Sequence, residues 1–198
     1  MGGKWNRWVT PISDKINGKT VVRKEYNQWA GMFNRAKGYK YYEEVGISEM
    51  FKSYDLWYEW AKEQRGFKEI DVNGRIWSID KDIVGDGTIY SEDVCMFVPC
   101  VINNLFRGSK RKTTGFFGVF KESRKKLFKA GITVDNKHHH LGYFETEIEA
   151  HLEYLKYRKM FADKLYIKYG DTVDDRVWDS LFRSCEYSDI PDILNNSN

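Results

Sequence analysis

Residues 108–114 read Gly-Ser-Lys-Arg-Lys-Thr-Thr, a run near the middle of the chain that contains no apolar side chain. A polar run of this kind favours a loop over a packed helix or strand. The 198 residues can build either one large core or two small ones. We therefore predict an N-terminal module of residues 1–106, a basic linker of residues 107–114, a second domain of residues 115–170 and an acidic tail of residues 171–198.

The composition excludes two broad classes of protein. Aromatic residues make up 16% of the chain, whereas intrinsically disordered chains are poor in them. No apolar run approaches the roughly 20 residues that cross a bilayer, and the N-terminus lacks the apolar core of a signal peptide. Cys95, Cys100 and Cys185 form no CxxC pair and are predicted to be reduced structural thiols. We expect a soluble, cytoplasmic protein with no membrane partner.

The N-terminal module is predicted to begin with two helices. Residues 25–37 and residues 47–65 each place aromatic and apolar side chains at helical spacing. Ser48 followed by Glu49 is typical of a helix start.

A strand, a loop, a second strand and a helix are predicted to complete this module. Residues 75–84 alternate apolar and polar side chains, which is typical of a strand. The Gly-Asp-Gly sequence at 85–87 supplies turn residues, and a second strand is predicted at residues 95–98. Pro99 favours the start of a short helix at residues 100–106.

The second domain is predicted to be a three-stranded antiparallel sheet packed on a long helix. Residues 115–121, 127–134 and 139–144 are short runs of alternating apolar and polar side chains, and residues 147–168 have helical spacing. A further helix is expected around residues 177–183. The whole chain is therefore predicted to have an α+β fold.

The charge of the chain is unevenly distributed. Residues 107–129 contain nine basic residues and one acidic residue, whereas the tail from Asp171 has a net charge of −5, so that the whole chain carries only +3. Such a basic block is either a solvated linker or a surface for phosphates, since lysine and arginine gain affinity for a duplex by releasing its condensed counterions.

Several segments of the second domain resemble the Apetala-type (ethylene-response-factor) DNA-binding domain. They are Gly118-Val119, Phe128-Lys129-Ala130-Gly131-Ile132, Leu141-Gly142-Tyr143-Phe144 and Thr146-Glu147-Ile148-Glu149-Ala150. The resemblance implies that the helix packs on one face of the sheet and that the other face enters the major groove of DNA. Strand alternation places Phe128, Ala130 and Ile132 toward the helix, so that Lys129, Gly131 and Thr133 face outward.

The predicted partner is therefore double-stranded DNA. Among the histidines, His138 and His140 are expected on one side of a strand and in contact with phosphates, because alternation separates them from His139 and disfavours a zinc site. The predicted DNA-binding residues are Arg107, Lys110, Arg111, Lys112, Lys121, Lys126, Lys129, Thr133, His138 and His140.

The N-terminal module resembles the phage HNH endonuclease family in a degenerate form, with a ββα-metal-like arrangement. The resemblance rests on Ile79-Asp80-Lys81-Asp82-Ile83, the Gly-Asp-Gly turn, residues 90–99 and Ile102-Asn103-Asn104. It implies a divalent metal and a histidine that activates water, but this chain has no histidine before position 138. The resemblance makes Asp80, Lys81, Asp82 and Asn103 the candidate catalytic residues.

Two registers remain open for this motif. Either Asp80 is the metal ligand and Lys81 replaces the base, or Asp82 takes the position of the base and Lys81 that of the ligand. Lysine and aspartate both have pKa values far from neutral in water, which makes each a weak base there. The oxygen donors of Asp80, Asp82 and Asn103 suit Mg²⁺ or Mn²⁺. The same Asp-Lys-Asp pattern also occurs as a surface ion pair on a strand.

Two functions follow as hypotheses. The first is a phage-type DNA-binding protein of HNH endonuclease lineage that hydrolyses phosphodiesters with a metal. The alternative is a catalytically inactive module on the same scaffold that binds DNA or a host protein, as a regulator or an inhibitor of a host enzyme. If the chain is encoded by a phage, we expect it in the cytoplasm of the bacterial host.

Overall fold

The computed structural model describes residues 10–37, 45–106, 114–122, 126–135 and 137–186. The chain forms two compact units, Met1–Pro99 and Cys100–Asn198. The division falls at the proline predicted to start a helix, so that this helix groups with the second unit and not with the N-terminal module. Helices and small, mainly antiparallel sheets alternate along the chain, which confirms the α+β class.

The described residues of the first unit form three helices and three pairs of short strands. Strands β1 (Ser13–Ile16) and β2 (Lys19–Val22) form an antiparallel hairpin, β3 (Gly46–Ile47) pairs in parallel with β5 (Ile89–Tyr90), and β4 (Ser78–Asp80) pairs antiparallel with β6 (Met96–Val98). The helices are α1 (Lys24–Ala36), α2 (Glu49–Lys52) and α3 (Tyr54–Ala61).

The core of the first unit is built from the aromatic residues that the sequence places at helical spacing. Phe51, Tyr54 and Trp57 are completely buried. The indole N–H of Trp29 on α1 donates a hydrogen bond to the carbonyl of Phe51 at 2.8 Å, which joins α1 to α2. The aromatic stripe is therefore a structural core, and helix α1 confirms the first predicted helix.

The second predicted helix, over residues 47–65, is wrong in its extent. Ser48 is the N-cap, as predicted, because its hydroxyl accepts a hydrogen bond from the backbone N–H of Phe51. The backbone is extended at Ser53, whose hydroxyl in turn caps α3 by accepting from Leu56. Serine favours such caps because its side chain competes with the backbone for hydrogen bonds. Two short helices therefore replace one long helix.

The strand predicted at residues 75–84 is also shorter than expected. Only Ser78–Asp80 pairs with β6. The carboxylate of Asp80 accepts hydrogen bonds from the backbone N–H groups of Asp82 and Ile83, at 2.8 and 3.0 Å, and so turns the chain out of the sheet. The order strand, loop, strand, helix is nevertheless observed, with the short strand β5 added within the loop.

The part of the second unit that the structure describes forms a three-stranded sheet and three helices. Helix α4 (Cys100–Phe106) follows Pro99 as predicted. Strands β7 (Val119–Glu122), β8 (Leu127–Val134) and β9 (Lys137–Phe144) are antiparallel in the order β7-β8-β9. Helix α5 (Glu147–Tyr169) packs across all three strands, and α6 (Asp175–Arg183) packs against α5.

Local sequence signals explain where helix α5 begins. Thr146 and Glu149 form a capping box, in which each side chain accepts a hydrogen bond from the backbone N–H of the other residue. The buried core beneath α5 consists of Val119, Ala130 and Ala150, with four partly buried apolar side chains packed around it: Phe116, Phe128, Leu141 and Phe144. No described helix has both the length and the apolar character needed to cross a membrane.

Candidate nucleic-acid interface

The sheet of the second unit has one face against helix α5 and one face directed away from it. Cross-strand partners in a sheet project to the same side. Ala130 is paired with Val119 and packs with Ala150 of α5, so this row faces the helix. Phe128 belongs to the same cluster, and Ile132 is buried. The prediction that these β8 residues point toward the helix is confirmed.

The outward row at the centre of the sheet is formed by Phe120, Lys129 and Tyr143. Phe120 of β7 and Tyr143 of β9 are the cross-strand partners of Lys129 in β8. Tyr143 is 41% exposed, which is high for a large aromatic side chain in a sheet. The row therefore presents one ammonium group between two aromatic rings on what we term the outer face, the side of the sheet opposite α5.

The outer face continues through two further cross-strand pairs. Gly131 pairs with His140, and Thr133 pairs with His138. The Thr133 hydroxyl lies 3.2 Å from Nδ1 of His138, so the two side chains hold one another. Thr133, His138 and His140 are all exposed.

Gly131 allows the ring of His138 to lie flat on the sheet. A Cβ at Gly131 would come within 2.8 Å of the His138 ring. His140 packs edge-on against Tyr143, with 4.9 Å between the ring centroids. Four of the predicted DNA-binding side chains thus share the outer face: Lys129, Thr133, His138 and His140.

Two further predicted DNA-binding residues, Lys121 and Lys126, are described by the structure and lie elsewhere. Lys121 pairs with Phe128, which places it on the side of α5, and Lys126 is exposed in the turn before β8 with a φ of 54°. The remaining predicted residues, Arg107, Lys110, Arg111 and Lys112, lie outside the described residues, as does the predicted linker up to residue 113.

The sequence interpretation did not select Phe120 and Tyr143. Phe120 could have been found by extending the alternation to β7, because it follows the inward Val119. Alternation from His138 and His140 would place Tyr143 on the other side, because the pairing of β8 with β9 shifts between Ala130 and Gly131. Glu122 also shares the outer face, opposite Leu127 at the edge of the sheet.

In the first unit, Asp80 serves as a structural hydrogen-bond acceptor. Its side chain is buried, and its Oδ1 takes both N–H groups of the turn that follows β4. Burial raises the pKa of the Asp80 carboxyl above its usual value, although the two backbone hydrogen bonds act in the opposite direction.

Lys81 is buried beside Asp80 and donates a hydrogen bond to Oδ1 of Asp82. Its ammonium group also lies 5.4 Å from the centroid of the Tyr90 ring, a distance at which a cation and an aromatic face attract one another. Tyr90 in turn accepts a hydrogen bond from Nε of Arg35 at 3.1 Å. In the Asp-Lys-Asp sequence the buried ammonium group of Lys81 is therefore paired with the exposed carboxylate of Asp82.

This arrangement fits a divalent cation poorly. The ammonium group of Lys81 already neutralises Asp82, and a metal ion placed there would meet a positive charge at close range. Asn103 belongs to α4 in the second unit. Within the described parts of the chain, no three His, Cys, Asp or Glu side chains are grouped as metal ligands.

Comparisons with protein-family models, with curated proteins and with solved structures give no match to this chain. The site is therefore interpreted from its own geometry.

Proposed function

We propose that this protein binds double-stranded DNA through the outer face of the β7-β8-β9 sheet. The observation that carries the proposal is the arrangement of Lys129, Thr133, His138 and His140, which three cross-strand pairs of β8 and β9 bring to the outer face. These side chains are the donors and acceptors that proteins use for base edges and phosphates.

The dimensions of the sheet support this proposal. Adjacent strands lie about 4.8 Å apart, so three strands span about 10 Å between their outer axes. The major groove of B-DNA is about 12 Å wide and admits a narrow β-ribbon. In this position the Lys129 ammonium reaches either a guanine edge or a phosphate, and the apolar edge of Phe120 suits the methyl group of thymine.

The distribution of charge along the chain indicates that the basic block near its centre contributes to the affinity for DNA. The block at residues 107–129 contains nine basic residues, and it leads into the strands that carry the outer face. Contacts from this block to phosphates would add affinity that is independent of sequence and sensitive to salt.

We further propose that binding proceeds without hydrolysis, which is the catalytically inactive alternative. The Lys81–Asp82 ion pair supports this choice, because the carboxylate that a nuclease would need as a metal ligand is already paired with an ammonium group. Metal-dependent cleavage by Asp80, Lys81, Asp82 and Asn103 stays a prediction of the HNH resemblance.

The experiment is a duplex-binding titration by fluorescence anisotropy in the full-length chain. If about five phosphates are neutralised, the affinity should fall roughly a thousandfold as monovalent salt rises from about 50 to about 300 mM. Lys129→Gln should weaken binding and reduce the slope of log affinity against log salt by about 1 if Lys129 contacts a phosphate.

Lys164→Gln is the matched control, because it removes the same charge from an exposed position on helix α5, outside the basic block. Equal losses in the two variants would show that net charge alone decides binding and would contradict the proposed face. Binding that does not weaken with salt would contradict the phosphate contacts altogether. If the chain binds no duplex, a protein partner becomes the better hypothesis.

A further inference from the structure

Arg158 is a buried arginine on helix α5 that has no carboxylate partner among the described residues. Its side chain is 7% exposed. Nη1 donates to the Tyr154 hydroxyl at 3.1 Å and Nη2 to the Ser184 hydroxyl at 2.9 Å, while the ring of Phe106 lies 5.8 Å from the guanidinium carbon. The buried Nε has no hydrogen-bond partner within the described ranges of the chain.

A charge in this position normally needs a counter-ion. The guanidinium group stays protonated in proteins, so it cannot escape burial by losing a proton. Two hydroxyl groups, an aromatic ring and the thiol of Cys185, which also interacts with Arg158, carry no negative charge and offset only part of the cost of removing a cation from water. The described contacts of Arg158 therefore leave a positive charge that an anion would stabilise.

A cavity of about 240 Å³ lies beside this arginine. It is smaller than the roughly 300 to 1,000 Å³ of most small-molecule pockets, so it fits a small ion or a single functional group. Its lining combines the guanidinium group with hydroxyl groups and aromatic rings: Gly115, Phe116, Phe117, His151, Tyr154, Leu155, Arg158 and Ser184.

The polar groups of the cavity are arranged to receive hydrogen-bond acceptors. The Ser184 hydroxyl donates to the carbonyl of Leu181 at 2.7 Å, so its proton is already used. The Tyr154 oxygen accepts from Arg158, which leaves the phenolic proton available for a further acceptor. Phe116 stacks on His151, with 4.7 Å between the ring centroids, and His151 stacks on Tyr154, so the wall beside these donors is held in place.

We propose that this cavity binds a small oxyanion, a phosphate or a carboxylate group, held by the guanidinium of Arg158 and the hydroxyl of Tyr154. An oxyanion accepts several hydrogen bonds at once and supplies the missing negative charge. The residues of this cavity are separate from the outer-face side chains Lys129, Thr133, His138 and His140, so the site does not depend on DNA binding.

The test is a titration of the full-length protein with sodium phosphate at constant ionic strength, with sodium acetate and sodium chloride as parallel arms. Calorimetry and the thermal unfolding temperature serve as readouts, since a ligand that binds the folded state raises that temperature. Phosphate or acetate should raise it relative to chloride, and whichever gives the larger effect identifies the preferred class of oxyanion.

Two variants and one control locate the effect. Arg158→Met should abolish the rise, and Tyr154→Phe, which keeps the stacked ring, should weaken the affinity about tenfold, as expected for a lost hydrogen bond to a charged group. Lys159→Met removes a neighbouring but exposed charge and should retain the wild-type affinity.

The proposal is overturned if neither anion has an effect beyond that of chloride. It is equally overturned if Arg158→Met and Tyr154→Phe bind the anion with the same affinity as the wild type. Because no DNA is present in these experiments, their failure would leave the proposed DNA-binding function untouched, and a failure of DNA binding would leave this site untouched.

Discussion

The imidazole ring of His139 lies against the ring of Phe161 on helix α5, with 5.1 Å between the two centroids. His139 is the cross-strand partner of the buried Ile132 and shares its side of the sheet. His138 and His140 flank it in the sequence but project from the outer face. Of these three consecutive histidines, His139 therefore faces helix α5, whereas His138 and His140 lie on the outer face.

These positions predict opposite effects for three alanine variants. His138→Ala and His140→Ala should each weaken duplex binding, up to about tenfold where the ring contacts a base, and should leave the unfolding free energy nearly unchanged. His139→Ala should retain the DNA affinity but lower the unfolding free energy by about 1 kcal/mol, because it removes an aromatic contact. Anisotropy titrations and urea unfolding measure the two quantities. A loss of DNA binding confined to His139→Ala would contradict the assigned register.

Asp80 provides a second prediction, because its role in the turn requires an acceptor and not a charge. Asp80→Asn keeps an oxygen for the N–H groups of Asp82 and Ile83, so its stability at pH 7 should be no lower than that of the wild type. Asp80→Ala leaves both donors without this partner and should cost about 2 kcal/mol. Urea unfolding measures both values. Equal destabilisation by the two variants would contradict this assignment.

The pH dependence of the unfolding free energy, compared between the wild type and Asp80→Asn, gives a third prediction. Since burial raises the pKa of folded Asp80 above the unfolded value of 3.8, the folded state holds the proton more tightly. The resulting contribution to stability is complete below pH 3.8 and is lost as the pH rises through the folded pKa. The unfolding free energy of Asp80→Asn relative to the wild type should therefore increase as the pH rises from about 4 to about 7. A difference that is constant with pH would exclude a raised pKa.

Strand alternation in the second unit carries most of the information that the sequence reveals about the candidate site. Eight residues of β8 follow it without interruption, and the predicted bounds of that strand agree with the structure. The pairing of β8 with β9 shifts between Ala130 and Gly131. Alternation counted along β9 alone therefore does not identify which of its residues lie on the outer face.

The bounds of the helices and strands in the first unit are harder to predict, because hydrogen bonds between side chains and the backbone terminate them. Ser53 interrupts a continuous aromatic stripe, and Asp80 ends a continuous alternating pattern, each through a hydrogen bond to backbone N–H groups. Such caps depend on geometry that periodicity does not report. The Arg158 cavity cannot be found from periodicity for another reason, since it requires the middle of α5 to meet Ser184 at the C-terminal end of α6.

The Lys81–Asp82 ion pair gives a fourth prediction, about catalysis. Incubation of the full-length protein with plasmid DNA and Mg²⁺ or Mn²⁺ should leave the DNA uncut, because the ammonium group of Lys81 opposes a cation at Asp82. Gel electrophoresis over a time course measures the outcome. Cleavage that is lost in Asp80→Ala, Asp82→Ala and Asn103→Ala would restore the nuclease hypothesis and contradict ours. Cleavage that persists in all three would come from another site.

Gly118 provides the last prediction, which concerns the support beneath the outer face. Its φ is 71°, and a Cβ there would lie 2.0 Å from the Tyr154 ring on α5, while its carbonyl accepts a hydrogen bond from Gly131 at 2.9 Å. Gly118→Ala should therefore cost about 3 kcal/mol, from the left-handed backbone and from overpacking against the ring. Gly115→Ala is the matched control, because a Cβ at Gly115 meets no atom of the described residues within 4 Å. Urea unfolding measures both variants, and equal stabilities would contradict the close approach of β7 to α5.

Since Gly118 holds the start of β7 against both β8 and Tyr154, we expect Gly118→Ala to weaken DNA binding and oxyanion binding together, unlike any variant confined to one site.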